Sequence, residues 1–170
     1  AANTTGPAPC DGVPCPKNHE GHSGGTVGTL MGVTPNNIKT HKPHIVLLMS
    51  GINNIAGGPG PTAQLATLVD TILNADPTLL LFVAQITPGQ TFIMPTSYNP
   101  SVNAYNAAMV PMVNVRAAAG KHIRLADMHT PFVSNPKYDT ELLHNGIHPN
   151  DAGYKLMGET WYGVLKSLFR

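Results

Sequence analysis

The chain has 170 residues, 42% of them hydrophobic and 11% charged, with ten basic side chains against nine acidic. That apolar content suits one ordinary domain around one buried core, so residues 1–170 are expected to form a single domain. The even charge balance provides no basic stripe to neutralise nucleic-acid phosphate or to draw the chain to anionic lipid, and no run of roughly 18 apolar residues is present to span a bilayer. Nucleic acid and membrane are thereby disfavoured as partners.

Residues 1–25 are crowded with glycine and proline and hold little to bury, which predicts an irregular loop. Within it Cys10 and Cys15 frame CDGVPC, and a sequon stands at Asn3-Thr4-Thr5. Low charge, the sequon and the two cysteines together predict a secreted protein in which Cys10 and Cys15 pair. A zinc site joining these cysteines to His19 and His22 is the competing reading, although the cysteine spacing departs from the usual ligand pattern.

A short helix is expected from Thr26 to about Met31, with a turn at Thr34-Pro35-Asn36-Asn37. His44 to Ser50 is a nearly continuous apolar run, the pattern of a parallel strand covered on both faces. The glycine-rich loop GINNIAGGPGP follows. Leu65, Leu68, Val69, Ile72 and Leu73 recur at helical spacing, which predicts an amphipathic helix over Thr62 to Asn74, stopped by Asp76-Pro77. Leu79 to Gln85 reads as a second buried strand, and Ile86 to Pro100 as a long loop.

Val102, Tyr105, Met109, Met112 and Val113 predict a helix from Ser101 toward Ala119, kinked at Pro111 and closed by Gly120. Ile123 to Asp127 reads as a short third strand and Met128 to Gly146 as irregular. Met157, Trp161, Val164, Leu165 and Leu168 mark a final helix with Asp151 as its N-cap. Strands alternating with helices predict an α/β fold with a doubly wound parallel sheet and a site outside the carboxyl ends of its strands.

Three segments fall at those ends: EGHSGG, SGINN and HNGIHPNDAGY. The carboxamide of Asn53 and a backbone N–H at Gly24 suit an oxyanion hole, and His148, fixed before Pro149, suits a general base. On these residues the chain resembles the SGNH, or GDSL-like, hydrolases over about residues 18 to 165. Gly24 matches the block-two glycine, Asn53 the asparagine of a G-x-N-D block, and His148 the histidine of D-x-x-H. HEGHSG with GIHPNDAGY is most similar to the carbohydrate-esterase branch that includes acetylxylan esterases. The resemblance implies a flavodoxin-like three-layer α/β/α fold with a parallel sheet and no cofactor or metal.

The pattern departs from the family at three places. No G-D-S block carries the serine nucleophile, and the family's first strand, helix and second strand are expected to be missing, with a core slot left unfilled. Asn54 replaces the usual aspartate. Asn145 stands where a triad aspartate would precede the histidine, so it is expected to orient His148 through its carbonyl without supplying negative charge. GHSGG also matches a nucleophile elbow with Ser23, Asp127 and His148 in that order, but no strand-forming run precedes it. Ser50, at a strand end, is a further stand-in for the nucleophile. The other histidines read as loop or strand-end residues, and Asp127 as support for the loops.

The expected function is therefore an SGNH-type ester hydrolase that removes acetyl or other short acyl groups from a carbohydrate. Catalytic candidates are His148, Asn53, Gly24 and Asn145, with the serine on a companion N-terminal fragment or supplied by a strand-exchanged copy. The alternative is a noncatalytic glycan-binding or scaffold homologue that has lost its nucleophile.

Overall fold

The computed structural model describes residues 20–55 and 60–169. Cys10, Cys15, His19 and the sequon at Asn3 lie outside the described residues, so the disulfide and zinc readings are not addressed by the structure. Three parallel strands, β1 (Ile45–Leu48), β2 (Leu80–Ala84) and β3 (Ile123–Ala126), form a sheet in that order. In register, Val46 stands opposite Leu81 and Val83 opposite Leu125.

One face of the sheet carries helices α1 (Val27–His41), α3 (Thr62–Ala75) and α4 (Tyr98–Ala118). Leu48, Leu81, Val83 and Ile123 join the buried side chains of these helices in one continuous core. On the other face Ala84, Ala126 and Met128 pack with Met49 and with Met157 and Trp161 of α7 (Asp151–Lys166). The α/β fold with a parallel sheet is thus present, and the five α3 residues at helical spacing are all buried. All five apolar positions expected inside α4 are buried as well, and Tyr98 and Asn106 join them.

Several boundaries differ from expectation. Helix α1 does not stop at Met31 but runs through Pro35 to His41. A proline inside a helix costs about 3 kcal/mol, and three features offset it. Thr26 and Thr29 exchange reciprocal capping bonds of 3.2 Å at the start, Ile38 is buried in the core, and Lys42 closes the end in a left-handed conformation (φ 44°). Pro111 likewise lies within α4.

The stretch after β3, expected to be irregular, holds short helices α5 (Thr130–Val133) and α6 (Tyr138–Glu141). A hairpin of β4 (Leu143–Asn145) and β5 (His148–Pro149) follows. These pieces are too short for periodicity to reveal. The cap of α7 is Asn150, whose side chain accepts from the Gly153 N–H at 3.0 Å, and not Asp151, which is the first helical residue. Finally, β1 is not covered on both faces: Ile45 is 39% and Leu47 43% exposed.

Leu68 is fully buried where α3 meets the core. Truncation by Leu68→Ala is expected to cost about 2–5 kcal/mol, read as a lower urea midpoint with an unchanged slope.

Candidate functional site

All three sheet strands run in the same direction, so the segments after Leu48, Ala84 and Ala126 emerge at one end. The turn after β1 is fixed by Tyr105 of α4, whose buried hydroxyl donates to the Ser50 carbonyl at 3.1 Å. Burial raises the pKa of that hydroxyl, which keeps it a donor. Gly51 has φ +119°, and a Cβ there would lie 2.5 Å from the Tyr105 ring. The chain then enters the one-turn helix α2 (Ile52–Ile55), which carries Asn53 and Asn54.

These two asparagines hold the loop before α1. Asn53 Nδ2 donates to the Gly25 carbonyl at 2.9 Å, and Asn54 Oδ1 accepts from the Val27 N–H at 3.0 Å. The first bond uses one of the two Nδ2 hydrogens and leaves the second without a partner among the described residues. It also ties the carboxamide to the residue after Gly24, which sits in a turn at φ +66°, a conformation open to glycine and strained for most other residues. Asn54, which departs from the family's aspartate, keeps the acceptor oxygen that the Val27 N–H requires.

His148 is exposed on β5, opposite Asn145 on β4. Its Nδ1 lies 3.1 Å from the main-chain carbonyl of Asn145. The sequence assigns the orienting role to the side-chain carbonyl of Asn145; in the structure it is the main-chain oxygen that faces Nδ1, and the Asn145 side chain is exposed. A carbonyl only accepts, so Nδ1 carries the hydrogen and the Nε2 lone pair is left for a proton.

A residue the sequence reading missed fixes this hairpin. Gln90, 3% exposed, follows β2 and straddles Gly146: its Oε1 accepts from the Gly146 N–H at 2.7 Å, and its own N–H donates to the Gly146 carbonyl at 2.7 Å. Its Nε2 donates to the carbonyls of Leu143 and Asp139. A lone glutamine in a long loop carries no sequence signal for this task. The Asn53–Gly25 contact and the histidine turn are thus each tied to the carboxyl end of a strand, with no hydrogen bond joining the two among the described residues.

Other candidates take structural parts. Ser23 is exposed in a turn and Ser50 is buried, and neither is hydrogen-bonded to His148. Asp127 Oδ1 accepts from the N–H groups of His129 and Thr130 at 3.1 and 2.8 Å, which supports the loop after β3. His22 lies 3.6 Å from Glu20, and His41, His44, His122 and His144 are exposed. Met109 and Met112 are core, and Trp161 packs on the sheet.

Residues 12–156 match the GDSL-like Lipase/Acylhydrolase family. A protein of Acetivibrio thermocellus whose name proposes an endoglucanase is 28% identical over 151 residues, covering 85% of this chain and 61% of its own. A multidomain esterase of Ruminococcus flavefaciens is 28% identical over 160 residues, covering 85% of this chain and 20% of its own. The chain therefore spans about three fifths and one fifth of the length of these curated relatives. A solved family 3 carbohydrate esterase of Clostridium thermocellum superposes with a TM-score of 0.67 at 26% identity, covering 89% of this chain and 72% of that one.

Two outcomes follow from this geometry. Gln90→Ala strips the buried Gly146 N–H of its acceptor, which is expected to cost about 1–3 kcal/mol and to speed amide exchange at Gly146. Burial pushes the His129 imidazole below its ordinary value against the opposing pull of Asp127. The unfolded chain therefore binds the proton first, so this stability is full above the ordinary histidine pKa and is lost as pH falls toward the depressed one. Urea midpoints at pH about 7.5 and about 5 should show a smaller acid loss in His129→Gln than in the parent.

Proposed function

The chain belongs to the GDSL-like lipase/acylhydrolase family, and on that premise we propose that it supplies the general base and oxyanion donors of an ester hydrolase. The substrate class proposed is carbohydrate bearing acetyl or other short acyl groups, in keeping with the carbohydrate esterase and the multidomain esterase among its relatives. The observation that carries the reading is the 2.9 Å bond that pins the Asn53 carboxamide to the carbonyl of Gly25, the residue after Gly24, with one N–H still to give.

In the proposed reaction a serine hydroxyl attacks the acyl carbon as His148 Nε2 takes its proton. The charge that forms on the carbonyl oxygen is met by the Gly24 N–H and the free Asn53 N–H. The tetrahedral adduct then expels the sugar oxygen, which recovers the proton from the imidazolium. Water, deprotonated at the same nitrogen, releases the acid and restores the serine. Asn145 contributes only a neutral carbonyl behind Nδ1, so the imidazolium is less stabilised than beside a carboxylate.

The serine is assigned to a companion segment, because neither Ser23 nor Ser50 is bonded to His148. That same observation favours a second reading, a noncatalytic glycan-binding homologue. Secretion is part of the proposal, supported by the low charge and the sequon at Asn3.

Acetate release from an acetylated xylo-oligosaccharide, by the chain assembled with a serine-bearing segment, tests the reading. His148→Ala is expected to lower the rate about 10²–10⁴-fold and Asn53→Ala about 10²–10³-fold, with Ser23→Ala unchanged. Saccharide binding without acetate release would establish the binding reading. Release by the chain alone that is abolished in Ser23→Ala would overturn the assignment of the nucleophile.

A further inference from the structure

Between β2 and α4 the chain is pinned almost residue by residue. The Asn99 side chain accepts from the Gly89 N–H at 2.8 Å and donates to the Gly89 carbonyl at 2.9 Å, and Gln90 grips the histidine hairpin. Thr91 gives its N–H to Asp139 Oδ1 at 2.9 Å and its hydroxyl to Oδ2 at 2.7 Å. The Met94 N–H returns to the Gln90 carbonyl at 2.9 Å, and the Met94 side chain packs against the core. Between these anchors stand Phe92 and Ile93, 65% and 51% exposed.

A lone exposed apolar side chain is ordinary on a protein surface. Here two adjacent ones are held in water by a loop whose flanking residues are fixed, so their exposure is built in. Their place is specific as well. A Cβ on Gly146 would lie 3.6 Å from Ile93 Cγ2, which sets that side chain against the turn between Asn145 and His148. In the same turn the Asn145 carboxamide is exposed and makes no hydrogen bond among the described residues. An apolar surface thus meets an unused donor and acceptor beside the imidazole.

We propose that Phe92, Ile93 and the Asn145 side chain form a subsite for the sugar that carries the acyl group. The phenyl ring and Ile93 take the C–H face of a neutral pyranose, and the carboxamide takes one of its hydroxyls. Assigning a sugar rests on the ester-hydrolase reading above, through the route of the proton. In that reaction the leaving sugar oxygen recovers its proton from His148 Nε2, so the alcohol half of the ester lies against the histidine turn while the acyl oxygen points to the oxyanion donors. Side chains bordering that turn therefore meet the carrier and not the acyl group. Residues 90–97 and 145–147 include no charged side chain, which suits a neutral polyol over an anionic one. A few placed polar groups on an apolar wall are the usual make-up of a small-molecule site.

The probe is xylotetraose, titrated into the chain and followed by nuclear magnetic resonance. Amide signals of residues 91–94 and 145–147 should move on one saturation curve, and irradiating the Phe92 ring should transfer saturation to xylose C–H protons. Phe92→Ala should raise the Kd about tenfold, as losing roughly 50 Å² of covered ring implies, and Phe92→Trp should restore binding. Asn145→Ala keeps the main-chain carbonyl behind Nδ1 and should weaken binding about three- to tenfold. Val115 is 67% exposed on α4, near the end that leads into the start of β3, and Val115→Ala should bind as the parent does.

No saturable shift, shifts confined to other segments, or equal affinity in Phe92→Ala would overturn the proposal. Xylotetraose held at Phe92 with no acetate release in the assay above leaves the subsite standing and counts against ester hydrolysis. Acetate release with the same KM in Phe92→Ala as in the parent does the reverse.

Discussion

Two consecutive side chains couple the sheet to the loop on which the candidate chemistry depends. Asn53 gives a hydrogen to the Gly25 carbonyl and Asn54 takes one from the Val27 N–H, so the carboxyl end of β1 and the start of α1 are held at fixed separation. The pair divides its labour by chemistry: one carboxamide acts as donor, the next as acceptor. The acceptor bond satisfies an N–H in the first turn of α1, where no intrahelical partner exists. The donor bond fixes the plane of the Asn53 carboxamide and with it the direction of its remaining N–H. Preorganised donors of this kind need no rearrangement when charge develops in front of them.

The histidine half rests on backbone geometry in place of charge. Main-chain carbonyl 145 orients His148, and that carbonyl is placed by a two-strand hairpin whose turn is gripped through both peptide groups of Gly146 by Gln90. A rigid hairpin can therefore serve where a carboxylate is lacking, at the expense of electrostatic support for the charged imidazole. The loop carrying Gln90 leaves β2, so the middle strand positions His148 just as β1 positions Asn53.

Long periodic segments were legible in the sequence because burial writes itself into spacing. Leu65, Leu68, Val69, Ile72 and Leu73 announce α3, and the apolar runs announce β1 and β2 within two residues of their ends. What escaped was set by tertiary partners. Pro35 looks like a terminator until Ile38 is seen buried beyond it, and a two-residue strand such as His148–Pro149 has no period to detect. Gly24, Asn53 and His148 stand out in the sequence only through a family resemblance. The Asn53 bond to Gly25, the main-chain role at Asn145 and the grip of Gln90 were not legible, since each joins residues far apart in the chain or uses backbone atoms common to every residue. The exposure of Ile45 and Leu47 ran against their apolar pattern, which describes what a strand is suited to touch and not what lies beside it.

The account stands on Gly24 and Asn53 forming one anion-receptive pocket. Titrating the chain with acetate while following the Gly24 amide and the Asn53 carboxamide by nuclear magnetic resonance examines that claim without any nucleophile. Both signals should move on a single saturation curve, and the Gly24 response should vanish in Asn53→Ala. Signals that stay still, or that respond with unrelated affinities, would mean that the two donors do not act on one oxygen.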